Sequence, residues 1–323
     1  MRLFRHPSEL TQDAKGAVAA IGNFDGVHRG HQAVIGAAGG IARAQGRPHA
    51  VMTFEPHPRA FFAPSQEPFR LTPLRIKARL IEQLGVDLLF VPHFDQAFAA
   101  LSAEDFVRQV LVKRIGASHV VVGYDFVFGK GRAGDVGLLS RLGSELGFAV
   151  TTVQPVTSES GPYSSTAVRA ALKEGRPAEA AALLGHVWEI EGRVEEGDKR
   201  GRTLGFPTAN IRLGEYLHPA KGVYAVRAGI DKGGQTEWRD GVANFGSRPT
   251  FDKQDLLLEI HLFNFSGDLY GKHLRVTMVD FLRPESRFDG LDALKSQIAQ
   301  DCTKAKAALS SDARTSPHLK RAL

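Results

Sequence analysis

A single cysteine, Cys302, occurs in 323 residues. One thiol closes no intramolecular disulfide and builds no cysteine-based zinc cluster. Long apolar runs are missing too: the longest, V-D-L-L-F-V-P, is broken by Asp87 and is far too short to cross a bilayer. The first ten residues, M-R-L-F-R-H-P-S-E-L, contain no apolar signal-peptide core. The expected setting is cytoplasmic, with no membrane partner. Charge of one sign is never concentrated: 41 Lys and Arg stand against 35 Asp and Glu, a formal +6 spread along the chain. Such an excess suits anionic small molecules at least as well as nucleic acid. Without a long basic surface interleaved with aromatics, no nucleic-acid partner is expected. The G-x-x-x-x-G-K-[ST] loop is absent as well. F-G-K-G at 128–131 lacks its spacing and its hydroxyl, which disfavours a P-loop kinase.

What is present describes an ordinary globular chain, 43% hydrophobic and 24% charged, and too long for one compact core. In the first half, short apolar runs at 16–24, 49–54, 86–94, 119–126 and 148–156 alternate with helical patterns at 31–46, 71–85, 101–116 and 137–147. That grammar predicts an α/β doubly wound, mainly parallel sheet, with ligands at the carboxyl ends of strands near the switch in strand order. Two short helices are expected over 165–185. From Trp188 to about Pro284 strand follows strand with turns and no helix of normal length, the pattern of an antiparallel barrel or sandwich. A final helix over 290–309 should pack on it. The expected division is 1–185, 186–310 and a polar tail at 311–323.

The stretch I-G-N-F-D-G-V-H-R-G-H (21–31) lies between the first of these strands and the first helix. Gly22 and Gly26 permit close backbone approach, and the new helix offers free N–H groups to an anion. His28 and His31, three apart on the first helical turn, project to one side and could donate to phosphate oxygens. Two solvated surface histidines, or a zinc pair still lacking a third ligand, are the alternatives. A second element, Y-S-S-T-A-V-R (163–169), sets Ser165 and Thr166 at a helix start with Arg169 one turn along. Hydroxyls, helix N–H groups and a guanidinium together suit a triphosphate. The competing reading is an N-cap with an exposed arginine.

In the second half, G-R-V-E-E-G-D-K-R-G-R-T-L-G-F-P-T-A-N-I (192–211) holds four glycines, more than a barrel turn needs, and suggests backbone wrapped around phosphates. Thr208 and Asn210, alternate residues of an extended segment, point the same way and offer hard oxygens suited to Mg²⁺. Within L-L-L-E-I-H-L-F-N-F (256–265), Leu256, Leu258, Ile260 and Leu262 share one face while Glu259 and His261 share the other. A carboxylate in so apolar a strand belongs to an ion pair or acts as a general base.

H-x-G-H on the first strand–helix turn, paired with S-S-T-x-x-R, resembles the nucleotidyltransferase superfamily. With T-F-E-P-H-P (53–58) and V-G-Y-D-F-V-F-G-K-G-R-A-G (122–134), it is similar to the FMN adenylyltransferase module of the prokaryotic bifunctional riboflavin kinase/FAD synthetase family. G-R-T-L-G-F-P-T-A-N-I, G-V-Y-A-V (222–226), G-V-A-N-F-G-S-R-P-T-F (241–251), L-E-I-H-L-F-N-F and F-L-R-P-E-S-R-F-D-G-L-D-A-L-K-S-Q-I (281–298) resemble the riboflavin kinase module of the same family. The resemblance implies two linked reactions, riboflavin and ATP to FMN, then FMN and ATP to FAD and pyrophosphate. It also implies a six-stranded barrel fold for the second half. On the adenylyltransferase side it implies ATP contacts from Gly22, Asn23, Phe24, Asp25, Gly26, His28, His31, Asp125, Ser165, Thr166 and Arg169. Flavin contacts would come from Phe54, His57, Pro58, Tyr124 and Phe126. At Asp125 some members carry asparagine. On the kinase side it implies ATP contacts from Gly197, Lys199, Arg202, Gly205, Phe206, Pro207, Thr208 and Asn210. Thr208 and Asn210 would hold Mg²⁺; Asn244, Arg248 and Glu259 would meet the flavin, with Glu259 as base. The expected assembly is a monomer or weak homo-oligomer. Rival readings are a single-function enzyme with one inactive module, a non-catalytic flavin-binding regulator, and a nucleic-acid-acting relative of the H-x-G-H class.

Overall fold

The computed structural model describes residues 1–6, 11–64, 67–158, 161–196, 205–231, 235–249 and 254–312. The described chain forms two compact units, one from Met1–Glu67 and Leu74–Ser164, the other from Pro68–Pro73 and 165–312.

The first unit is built on a parallel sheet of β1 (Arg2–Phe4), β2 (Val18–Ile21), β3 (His49–Met52), β4 (Leu88–Phe90), β5 (His119–Gly123) and β6 (Ala149–Val153), in the order β1-β4-β3-β2-β5-β6. Burial on both faces explains why the four inner strands, β2 to β5, read as apolar runs, whereas the edge strands β1 and β6 are exposed or half-buried apart from Phe4. Val18, Ala20, Val51, Leu89 and Val121 turn to one side, where α1 (Arg29–Gln45) contributes Val34, Ile35 and Ala38. On that side α3 (Leu74–Gln83) contributes Ile81; the short α2 (Pro58–Phe62) precedes it in the chain. Ala19, Ile21, Ala50, Met52, Leu88, Phe90, Val120 and Val122 turn to the other side. There they meet Leu139 and Leu142, which lie on α6 (Val136–Leu146). The helix expected at 101–116 is present but wound differently. After α4 (Gln96–Ala99), the short α5 (Ala103–Asp105) is capped by the Ser102 side chain on Asp105 N and continues as a π-helix over Phe106–Ile115. It stops at Gly116, whose φ of 62° ends the winding. Strand β1 has three residues, too few for any alternation to announce it.

Strand order reverses between β2 and β5. The chain runs outward from β2 through β3 to β4, then crosses back to place β5 beside β2 on its free edge. The loops leaving β2 and β5 therefore flank the crevice where doubly wound sheets bind ligands.

The first unit ends in a short antiparallel pair, β7 (Thr157–Ser158) and β8 (Gly161–Pro162), and past it come α7 (Ser165–Lys173) and α8 (Pro177–Leu184), the two short helices expected from the pattern. They group with the barrel: α8 packs on the strand His273–Pro284, and a Cβ on Gly175 would lie 3.0 Å from the Phe281 ring. Six antiparallel strands follow, β9 (Glu189–Arg193), β10 (Ala209–Arg212), β11 (Gly222–Asp231), β12 (Thr236–Pro249), β13 (Gln254–Leu262) and β14 (His273–Pro284), ordered β10-β13-β12-β11-β14-β9. Trp188, Ile190, Ile211, Tyr224, Val226, Phe245, Leu258, Ile260, Val276 and Met278 are buried as its core. The sheet nearly closes. Glu195 N donates to Asn210 O at 2.9 Å, joining the segment after β9 to β10. Gly192 makes this approach possible, because a Cβ there would stand 2.3 Å from Ile211 Cγ2. The last helix, α9 (Leu291–Ser311), covers an outer patch of Val223, Ala225, Val242 and Val279 with Cys302, Ala305 and Leu309.

Helix α9 is fastened by charge as well as by apolar area. Arg283 on β14 pairs with the buried Asp301 through Nε and Nη2, at 3.0 and 2.8 Å. Asp301→Ala would leave a largely buried guanidinium uncompensated and should cost about 3 kcal/mol. Urea unfolding checks this, and an unchanged midpoint would show that the pair contributes nothing.

Candidate active sites

In the first unit the loop after β2 is held in an uncommon backbone conformation. Phe24 and Val27 have φ of 47° and 43°, and Gly26 has 89°. For a β-branched residue such as Val27 this is a strained position that the surroundings must impose. The loop delivers His28 to the N-cap of α1, where His28 Nδ1 accepts from His31 N at 3.3 Å. Accepting at Nδ1 leaves the proton of a neutral imidazole on Nε2. The rings of His28 and His31 stack with centroids 3.5 Å apart, and Phe24 meets His31 edge-on at 5.3 Å. The glycine of H-x-G-H is explained by space: a Cβ on Gly30 would lie 3.2 Å from both the His28 ring and the Tyr163 carbonyl. The chain just before S-S-T-A-V-R thus runs against the histidine turn. With the first N–H groups of a 17-residue helix behind them, the stacked imidazoles form a donor-rich, positively polarised end.

Asp25 and Gly26 are buried in this loop, Asn23 exposes its side chain, and Gly22 donates its N–H to Met52 O at 3.1 Å. Asp125 and Tyr124 are exposed at the carboxyl end of β5, across the strand-order reversal. Ser165 and Thr166 are the first residues of α7; one turn on, Arg169 Nε donates to Phe69 O at 2.9 Å. These three belong to the second compact unit, whereas Ser164 belongs to the first.

The aromatic set is larger than the motifs indicate. Phe54 packs on Phe94 and Phe98, Phe98 on Phe106, Phe106 on Phe128, and Phe128 stacks on Phe126 at 5.4 Å. Phe61 and Phe62 join through Phe94, with Phe62 67% exposed. His57 caps α2 through Arg59 N, and Pro58 begins that helix. Tyr124 contributes no ring contact to this chain of rings. A cavity of about 370 Å³ adjoins it at the carboxyl ends of β1, β3 and β4, lined by Phe4, Met52, Phe90, Phe98 and Leu101 together with Arg5 and Arg114. Phe94 ends the apolar run at 86–94 and Phe98 lies in the four-residue α4, where no motif assigns either of them to a ligand.

In the second unit, strand register assembles the site. Asn210 on β10 is the cross-strand partner of Glu259 on β13, and Glu259 is the partner of Asn244 on β12. Three polar residues form one row across three strands, on the face opposite the core residues Leu258 and Ile260. Asn210 is buried, and among the described residues its Oδ1 has no hydrogen-bond partner. A buried, unfilled oxygen acceptor two residues after the Thr208 hydroxyl is what a hard cation would use, so these residues fit Mg²⁺. His261, two residues beyond Glu259 on the same face, faces Pro207 O with Nδ1 at 2.9 Å and meets the rings of Phe206 and Phe263. It ties the F-P-T-A-N segment to β13, a role that alternation placed on the right face without assigning. Gly205 has φ of 87° where the chain enters that segment. Gly197, Lys199 and Arg202 lie outside the described residues. So does the side chain of Arg248, whose backbone pairs with Asp255.

Among the described residues no helix is long and apolar enough to cross a membrane, and no group of three or more His, Cys, Asp or Glu gathers to hold a metal. Two family descriptions match the chain in order, FAD synthetase over residues 10–167 and riboflavin kinase over 184–309. The bifunctional riboflavin kinase/FMN adenylyltransferase of Escherichia coli (strain K12) is 45% identical over 303 residues, 93% of this chain and 96% of that protein. The protein of the same name from Haemophilus influenzae is 40% identical over 307 residues, 95% of this chain and 99% of its own length. Among solved structures, one titled a macrolide-efflux protein from Streptococcus pneumoniae is 31% identical, with a TM-score of 0.83 over 94% of this chain and 98% of that one. Matched module by module and along nearly its whole length, the chain belongs to the family of bifunctional riboflavin kinase/FMN adenylyltransferases.

Proposed function

We propose that each reaction is carried by its own constellation, the adenylyl transfer by the His28/His31 turn and the phosphoryl transfer by the Asn210–Glu259–Asn244 row. The chain is a riboflavin kinase and an FMN adenylyltransferase. The functional modules are residues 1–185 and 186–310, in line with the two family matches.

In the N-terminal module an FMN phosphate oxygen attacks the α-phosphorus of ATP, a P–O bond forms, and the bond to pyrophosphate breaks. Displacement at phosphorus needs alignment and charge stabilisation more than covalent help. The observation that carries this role is the stacked histidine pair at the N-terminus of α1. His28 and His31 donate to phosphate oxygens as negative charge shifts to the leaving group. Gly22, Asn23, Phe24, Asp25 and Gly26 form the loop against the nucleotide, with Asp125 across the crevice. Ser165, Thr166 and Arg169 take the triphosphate and departing pyrophosphate on the strength of their motif. Phe54, His57, Pro58, Tyr124 and Phe126 receive the flavin, and the rings of Phe94 and Phe98 extend its apolar surface.

In the C-terminal module the riboflavin 5′-hydroxyl attacks the γ-phosphorus of ATP, and ADP leaves. Glu259 accepts the hydroxyl proton as the P–O bond forms, a modest demand in phosphoryl transfer. Asn244 and Arg248 orient the flavin. Gly197, Lys199, Arg202, Gly205, Phe206 and Pro207 supply the ATP loop, and Thr208 and Asn210 would hold Mg²⁺. The cation, when bound, offsets charge on the phosphates of ATP.

Riboflavin incubated with ATP and Mg²⁺ should give FMN and then FAD by chromatography; riboflavin alone at the end would refute the assignment. Glu259→Ala should lower FMN formation by about 10²-fold or more while FMN-to-FAD conversion persists. His28→Ala combined with His31→Ala should do the reverse, with a loss of about 10²–10³-fold in FAD formation. Loss of both activities from either change in a folded protein would contradict the two-site assignment.

A further inference from the structure

Lys77 lies on α3 with its side chain wholly out of solvent, at 0% exposure. Removing an ammonium group from water is among the most unfavourable burials a protein makes, and a methionine in its place would avoid it. The hydrogen bonds of Lys77 point to the reason it is there. Nζ donates to Asn23 O at 2.7 Å and to Thr53 Oγ1 at 3.3 Å, and Thr53 Oγ1 donates to the same Asn23 carbonyl at 3.0 Å. Groups from α3, from the end of β3 and from the loop after β2 thereby close a triangle. The shared acceptor is the residue from which the chain turns into the left-handed positions of Phe24, Gly26 and Val27, directly before His28. A turn that holds two non-glycine residues at positive φ relaxes unless something outside it keeps it in place.

We propose that Lys77 is a positioning residue for adenylyl transfer: by clamping the Asn23 carbonyl from beneath, it fixes the Phe24–Val27 turn and so aims His28 and His31. The inference rests on the role given above to those histidines. Lys77, itself 0% exposed, acts through the loop.

The test uses the full-length chain, with riboflavin phosphorylation in the same preparation as internal control. In Lys77→Met, kcat for FMN-to-FAD conversion should fall by about 10²-fold, because misaim of the histidines is felt in the transition state. The KM values for ATP and FMN should move by less than about threefold, and FMN formation should be unaffected. Thr53→Val removes one of the two donors to the carbonyl with little change of shape and should lower the same kcat by about tenfold. Thr53→Ser, which keeps the hydroxyl, should restore it. If Lys77→Met does not fold, the Thr53 pair decides alone. The clamp is overturned, with the histidine assignment intact, if both Lys77→Met and Thr53→Val keep kcat within about threefold while the double histidine variant is inactive. A rise in KM alone, or an equal fall of both reactions in Thr53→Val, also overturns it. Full FAD formation by the double histidine variant would instead remove the assignment, and the clamp with it.

Discussion

A carbonyl that leaves a sheet ladder inside a protein must find another donor, and much of this structure follows from where those donors come from. At the end of β2 the Asn23 carbonyl is taken by a lysine ammonium and a threonine hydroxyl. Before β10 the Pro207 carbonyl faces the imidazole of His261, and within β10 the Asn210 carbonyl takes the Glu195 N–H where the barrel nearly closes. Each of these sits beside a segment assigned to phosphate chemistry. Strands give stiffness up to their last ladder bond; beyond it, the side chains of Lys77, Thr53 and His261 and the Glu195 N–H keep the next residues fixed.

The two units reach the same end by opposite geometry. A parallel sheet sends its strands to one edge together, so the first unit gathers loops, and its histidines arrive on a loop and a helix cap. An antiparallel sheet lays residues of neighbouring strands side by side, so the second unit gathers a row, and Asn210, Glu259 and Asn244 arrive by register alone. The loop site therefore depends on tertiary props such as Lys77. The row depends on pairing, and a slip of one residue would send Glu259 into the apolar core.

What was legible in the sequence was whatever repeats or punctuates. Continuous apolar runs announced the buried parallel strands, and alternation along β13 separated Glu259 and His261 from Leu258 and Ile260. Glycines marked helix ends at Gly46, Gly116 and Gly147, each of which has positive φ. Pairwise and tertiary features were not legible. Strand β1 is too short for a pattern, and the π-helical winding of Phe106–Ile115 has the same composition as an α-helix. Phe94 and Phe98 gain meaning only from the rings they meet. Lys77 did leave a trace, a lysine four residues before Ile81 where the buried face of α3 asks for an apolar residue. Its partners, Asn23 and Thr53, lie far away along the chain.

The second unit takes a hexapeptide, Pro68–Pro73, from the middle of the first unit's sequence. The indole N–H of Trp188, itself 0% exposed, donates to Leu71 O at 2.9 Å, and Arg70 N donates to Glu215 O at 3.2 Å. Compactness and continuity therefore diverge: no single cut of the chain yields the whole of the second unit. A barrel released at residue 165 leaves behind the acceptor of its own buried tryptophan, a loss of about 1–3 kcal/mol for the unpaired N–H. Lineages that recombine these modules inherit that debt unless the hexapeptide, made some ninety residues earlier on the ribosome, travels with the barrel.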